Sequence, residues 1–79
     1  MRVLVTGATG FIGRNLVEYF AAQDNVQITA VWHKRPPYKT GGNVAWVEAD
    51  LRNPDDVTRV VAGQDQIIQA AATTSGAKD

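Results

Sequence analysis

Val3-Leu4-Val5-Thr6-Gly7-Ala8-Thr9-Gly10-Phe11-Ile12-Gly13 is the stretch whose reading decides the fold. Val3 to Val5 is apolar without alternation, which suits a short strand covered on both faces. Glycines then interrupt the strand. From Phe11 to about Gln23 the period changes: Ile12, Leu16 and Phe20 recur every four residues, as on one buried helix face. The segment therefore reads as strand, glycine turn, helix.

Working outward, Gln27 to Trp32 is a second strand, with Val26, Ile28, Ala30 and Trp32 alternating against Gln27 and Thr29. Lys34 to Asn43 is a loop, marked by Pro36-Pro37 and Gly41-Gly42. Val44 to Val47 is a third strand and Glu48 to Asn53 a turn. Asn53-Pro54-Asp55-Asp56 starts a second helix with a capping side chain, a proline in the first position and acids in the first turn. That helix runs to about Ala62, buries Val57, Val60 and Val61, and is closed by Gly63. Gln66 to Ala72 is a fourth strand. The polar tail from Thr73 to Asp79 receives no element.

The order is β-α-β-β-α-β, with no internal repeat. Strands separated by helices imply an α/β fold with a parallel sheet and right-handed crossovers. The arrangement expected is a partial Rossmann fold with strands ordered 3-2-1-4, the first central and the fourth a bare edge. Pairing of that edge with a second copy makes a homo-oligomer the expected state.

Composition narrows the function. Seventy-nine residues make one small domain, in which folding hides only about 60% of the unfolded surface. Eight basic and eight acidic residues balance, so the basic excess of a nucleic-acid binder is absent. No cysteine is present, which removes disulfides, thiolate metal sites and a cysteine nucleophile, and one histidine does not make a zinc site. The N-terminal apolar run is too short for a signal peptide, and no run has the length of a membrane span. The expected location is cytoplasmic.

The glycine turn carries the chemistry. Gly7 permits a tight exit from the strand, Gly10 lets backbone approach a pyrophosphate, and Gly13 lets the helix pack on the sheet. Free N–H groups at the start of the helix, around Thr9, Phe11 and Ile12, and the positive end of its dipole would meet the anion. The competing reading is a turn that packs tightly and binds nothing.

Thr6-Gly7-Ala8-Thr9-Gly10-Phe11-Ile12-Gly13 resembles the opening of the extended short-chain dehydrogenase/reductases, the group of NAD-dependent nucleotide-sugar epimerases and dehydratases. Two later segments agree. Glu48-Ala49-Asp50-Leu51-Arg52 is similar to the family's Asp-Leu after strand three, where the resemblance implies that the acid contacts the adenine amino group. Asp65-Gln66-Ile67-Ile68-Gln69-Ala70-Ala71-Ala72 resembles its fourth strand, whose alanine-rich end, here Ala70, Ala71 and Ala72, lines the cofactor channel. Without the resemblance, Asp50 is equally a turn residue with a local side-chain bond, and the alanines a strand end packed under a helix.

The choice of cofactor falls on NADP over NAD. An NAD site has an acid at the end of strand two for the ribose 2′-hydroxyl. Here that strand ends Trp32-His33-Lys34-Arg35, and Asp24 lies too early. Lys34 and Arg35 would attract a 2′-phosphate, with His33 adding a donor; the plain alternative is a solvated basic loop.

The resemblance also implies a catalytic Tyr-x-x-x-Lys pair, which this chain lacks. Four residues after Tyr19 stands Gln23, and four after Tyr38 stands Gly42. Thr73, Thr74 and Ser75 come too early for the family's substrate-orienting hydroxyl. The chain is thus read as the N-terminal, cofactor-binding part of a nucleotide-sugar epimerase, dehydratase or reductase, with no catalytic residue of its own. The alternatives are a non-catalytic dinucleotide sensor and a purely structural half-domain.

Overall fold

A computed structural model describes residues 1–70. The strand opening the chain, β1 (Arg2–Thr6), places Val3, Leu4 and Val5 wholly out of solvent. Its alternate residues serve different cores. Val3 and Val5 join Val17, Val26, Ile28 and Ala30 on one side, whereas Leu4 joins Val31, Ala49 and Val60 on the other. Helix α1 (Phe11–Ala21) covers the first side and α2 (Pro54–Val61) the second. A strand covered on both faces needs an unbroken apolar run, and that is why Val-Leu-Val does not alternate.

Strands β2 (Gln27–Trp32), β3 (Val44–Glu48) and β4 (Gln66–Gln69) complete one sheet in the order β3-β2-β1-β4, every pairing parallel. This is the element order and sheet order expected of a partial Rossmann fold. Leu4 is level with Thr29 of β2 and Ile67 of β4. Ile67 remains 53% exposed on the outermost strand. With every strand pointing the same way, the turn after β1, the loop after β2, the turn after β3 and Ala70 after β4 gather along one edge.

Two expectations change in detail. The first helix ends at Ala21 rather than Gln23, and its buried stripe is Gly13, Leu16, Val17 and Phe20 rather than Ile12, Leu16 and Phe20. Gly13 sets the rotation. A Cβ there would meet the Ala8 Cα at 2.9 Å and the Gly7 carbonyl carbon at 2.7 Å, so this face of the helix lies directly on the turn. Residues three, four and seven positions on then face the sheet, and Ile12, one step round, is 59% exposed. The fourth strand ends at Gln69, with the Ala70 N–H donating to the Thr6 carbonyl at 3.1 Å. Ala71 and Ala72 lie outside the described residues. The second helix closes as expected, with Gly63 in the left-handed region at φ +76°.

Candidate functional site

At the C-terminal edge of the sheet lies an open cleft of about 690 Å³. The sequence supplies its floor through the glycine turn. Gly7 has φ +66°, a conformation that side chains rarely adopt, and it folds the chain back so that Gly10 N–H donates to the Gly7 carbonyl at 3.1 Å. Gly13 does not line the cleft; it is the packing residue beneath the turn. Gly10 differs from both. Its φ is −78°, and an added Cβ would sit 3.4 Å from the Gly7 carbonyl oxygen, an ordinary contact. The protein alone does not require a glycine at position 10.

Helix α1 begins at Gly10 without a capping side chain and without an acid in its first turn. Among the described residues, Phe11, Ile12 and Gly13 donate their backbone N–H groups to no acceptor. Gly7, Thr9, Gly10, Phe11 and Ile12 line the cleft beside these donors, and Phe11 is 84% exposed. The helix start therefore offers unused donors and a positive dipole end.

The opposite wall comes from β2 and β3. His33, Lys34 and Arg35 follow β2 and line the cleft, as do Asp50 and Leu51 after β3. Ala49 N–H donates to the Trp32 carbonyl at 2.9 Å, which holds the two strand ends together. Ala70 contributes from β4. The structure thus brings together Gly7, Thr9, Gly10, Phe11, Ile12, His33, Lys34, Arg35, Asp50, Leu51 and Ala70, eleven of the fourteen residues singled out from sequence. No metal-binding cluster of His, Cys, Asp and Glu occurs among the described residues.

Asp50 is already engaged. Its Oδ1 accepts from Arg52 N at 2.9 Å and Nε at 3.1 Å, and its Oδ2 accepts from Arg52 Nη2 at 3.1 Å. The Arg52 side-chain bonds, then the backbone bond, hold the carboxyl well below its ordinary value, at about 2. His33 Nε2 lies 3.7 Å from Oδ2. The local turn bond open to Asp50 on sequence grounds is present, and the residue lines the cleft as well.

Val31, Trp32, Ala49 and Arg52 of the cleft wall escaped the sequence reading of the site, as did Tyr38 beside it, and of these Arg52 and Tyr38 make side-chain hydrogen bonds. Among the described residues, Arg52 lines the cleft as a third formal cation beside Lys34 and Arg35, with Asp50 as the one carboxylate. Its signal was the spacing Asp-x-Arg, which lets an aspartate accept from the amide two residues on. Tyr38 lies behind the basic loop, its hydroxyl donating to the Ala8 carbonyl at 3.2 Å. An aromatic residue between Pro36-Pro37 and Gly41-Gly42, in an otherwise polar loop, was the sign that the loop is pinned.

Comparison with known proteins adds a family. The profile of the NAD dependent epimerase/dehydratase family matches residues 3–79. The chain is similar to CDP-paratose 2-epimerase of Salmonella typhi, 32% identical over 68 residues, covering 77% of this chain and 20% of that protein. It is also similar to 3-beta-hydroxysteroid dehydrogenase of Mycolicibacterium neoaurum, 35% identical over 71 residues, covering 90% of this chain and 19% of that protein. The chain spans about a fifth of the length of these curated relatives. No solved structure gives a significant match.

Proposed function

The chain belongs to the NAD dependent epimerase/dehydratase family, and from that premise we propose that its cleft holds the pyrophosphate and adenosine of NADP. The observation carrying this reading is the uncapped start of α1, whose Phe11, Ile12 and Gly13 amides lack acceptors among the described residues, with Phe11 and Ile12 lining the cleft. Gly10 supports it. The fold accepts a Cβ there, so the glycine is explained by a group that must come close from the cleft side.

In this reading the Phe11 and Ile12 amides and the dipole of α1 hold the pyrophosphate. Lys34 and Arg35 pair with the 2′-phosphate, for which a guanidinium supplies two parallel donors. His33 adds a donor beside them. Asp50 keeps its charge because Arg52 holds it, leaving remaining lone pairs to accept from the adenine amino group. Leu51 and Ala70, with Ala71 and Ala72 beyond the described residues, border the rest of the cofactor. The bound cofactor would supply hydride transfer at its nicotinamide.

We propose further that the parent activity is that of a nucleotide-sugar epimerase, dehydratase or reductase. The names of the two relatives differ in substrate, one a nucleotide sugar and the other a hydroxysteroid, so substrate choice is assigned to residues other than these.

Calorimetric titration of the protein with NADPH, NADP, NADH and NAD in parallel tests the proposal. The phosphorylated pair should bind about tenfold or more tightly than the other pair, the scale of one charge-assisted hydrogen bond. Equal affinities would remove the role given to Lys34 and Arg35. Absence of binding by all four to a folded protein would remove the cofactor role of the cleft.

A further inference from the structure

Among the described residues, the basic loop after β2 is hydrogen-bonded to the glycine turn at one point. Tyr38 donates from its hydroxyl to the carbonyl of Ala8, inside the glycine turn, at 3.2 Å. Its ring has the Arg14 guanidinium of α1 over one face, 4.4 Å from the centroid, and stacks edge-on to Trp46 of β3 at 4.8 Å. Trp46 is held in turn by its Nε1–H donating to Thr40 Oγ1 at 3.0 Å. Partial burial, opposed by Arg14, pushes the phenol above its ordinary value, which keeps the proton on the donor.

Ala8 is a fixed anchor. It is fully buried, and its own N–H donates to the Val31 carbonyl at 3.3 Å. Both backbone polar groups of this one residue therefore tie the turn to the β2 side of the cleft. Between Tyr38 and Arg35 stand Pro36 and Pro37, whose rings fix φ and shorten the list of paths the loop can take. Lys34 to Pro37 are exposed and make no hydrogen bond to the rest of the described residues, so after the end of β2 at Trp32 the next hydrogen-bonded point that limits where Lys34 and Arg35 stand is Tyr38.

We propose that Tyr38 is a positioning residue: its bond to Ala8 couples the basic loop to the glycine turn, and this coupling sets how strongly the cleft prefers a 2′-phosphorylated dinucleotide. The discrimination part rests on the NADP reading above; the coupling does not.

Tyr38→Phe tests it, because the ring keeps its stacking on Trp46 and Arg14 while the hydroxyl is lost. Exchange of the hydrogen-bonded amides of Ala8 and Gly10 should quicken by about fivefold, the scale of one neutral hydrogen bond, and the backbone order parameters of His33, Lys34 and Arg35 should fall with it. The NADPH-over-NADH preference should fall by a similar factor, with NADH affinity changing less than about twofold. Arg35→Ala should lose that preference as well, and the double variant should lose no more than Arg35→Ala alone. Unchanged exchange in the turn, or unchanged order parameters in the loop, overturns the coupling. Unchanged preference, or additive losses in the double variant, overturns the positioning role. Should the unaltered protein bind none of the dinucleotides, the cofactor reading falls and the discrimination with it. Exchange then still decides the coupling.

Discussion

Helices α1 and α2 start at the same edge of the sheet, after β1 and β3, on opposite faces, and they treat their first turns in opposite ways. At α2, Asn53 accepts from Asp55 N at 2.9 Å, Pro54 has no N–H to satisfy, and Asp55 and Asp56 place negative charge at the positive end. Asp56 also accepts from Asp50 N at 2.9 Å, so the turn before the helix is tied to it. At α1 the corresponding position is Gly10, with no side-chain bond and no acid. Both helices carry the same dipole per turn. The difference lies in the acceptor: α2 carries its own, and α1 has none among the described residues. A helix start finished from within is architecture, while one left bare beside a cleft has a ligand as its natural complement.

The largest expected effect comes from the residue that seats α1. Gly13→Ala puts a Cβ against the Gly7 and Ala8 backbone, which has no flexible side chain to move aside. Overpacking against backbone should cost at least about 3 kcal/mol, a large part of the stability of a small domain. Thermal melting followed by circular dichroism should lose its cooperative transition; a melt matching the unaltered protein would refute the close contact.

Next comes an exchange of character. Gly10 already has the extended dihedrals of a cap, φ −78° and ψ 173°, so Gly10→Asp should give α1 the kind of start that α2 has. Stability should rise by about 0.5 kcal/mol, while dinucleotide affinity falls by about a hundredfold or more as a carboxylate takes the place of the anion. Calorimetry and melting on one sample check both. Retained affinity would sink the anion assignment.

The reverse change is milder. Asn53→Ala removes the cap of α2 and should cost about 1 kcal/mol, lowering Tm by about 4–8 °C in a domain this small. Affinity for dinucleotide should not move, and a parallel loss of binding would break the division between the two helix starts.

The smallest effect is that of the turn before α2. Asp50 titrates at about 2 rather than 3.8 because Arg52 holds its charged form. A carboxylate depressed on folding adds stability that is complete above its unfolded value and is lost as pH falls through the folded one. Denaturation midpoints should therefore drop between about pH 4 and 2, and Asp50→Asn should flatten part of that drop. Water reaches the pair, with 31% of the Asp50 side chain and 81% of Arg52 exposed, which keeps the effect small. Superposable profiles would deny the pair a part in stability.

Much of this was legible in the residues. Val3 to Val5 in a row demanded a strand with two covered faces, and the three glycines fixed where helix and strand must touch. Asn53-Pro54 announced its helix because each residue type there answers one unsatisfied group. The phase of α1 was not legible from period alone. Ile12 and Val17 are both apolar, and only the contact of Gly13 with the turn decides which faces inward. Arg52 and Tyr38, signalled only by the Asp-x-Arg spacing and by an aromatic in a polar loop, were missed for a different reason. Their partners, Asp50 and Ala8, are set by how a turn and a long loop fold back, and the Tyr38 to Ala8 contact spans thirty residues with no periodicity to betray it.

The pairing of β1 with β4, Val3 beside Gln66, has a consequence for how such a chain comes to be folded. The strand at the centre of the sheet is the first one synthesised, and one of its edges waits for a partner more than sixty residues behind it. Contacts this distant in sequence close slowly. Among the described residues the cleft, in contrast, draws all but Ala70 from positions up to Arg52. In order of synthesis, then, almost every described residue of the cleft is made while one edge of β1 still lacks its partner.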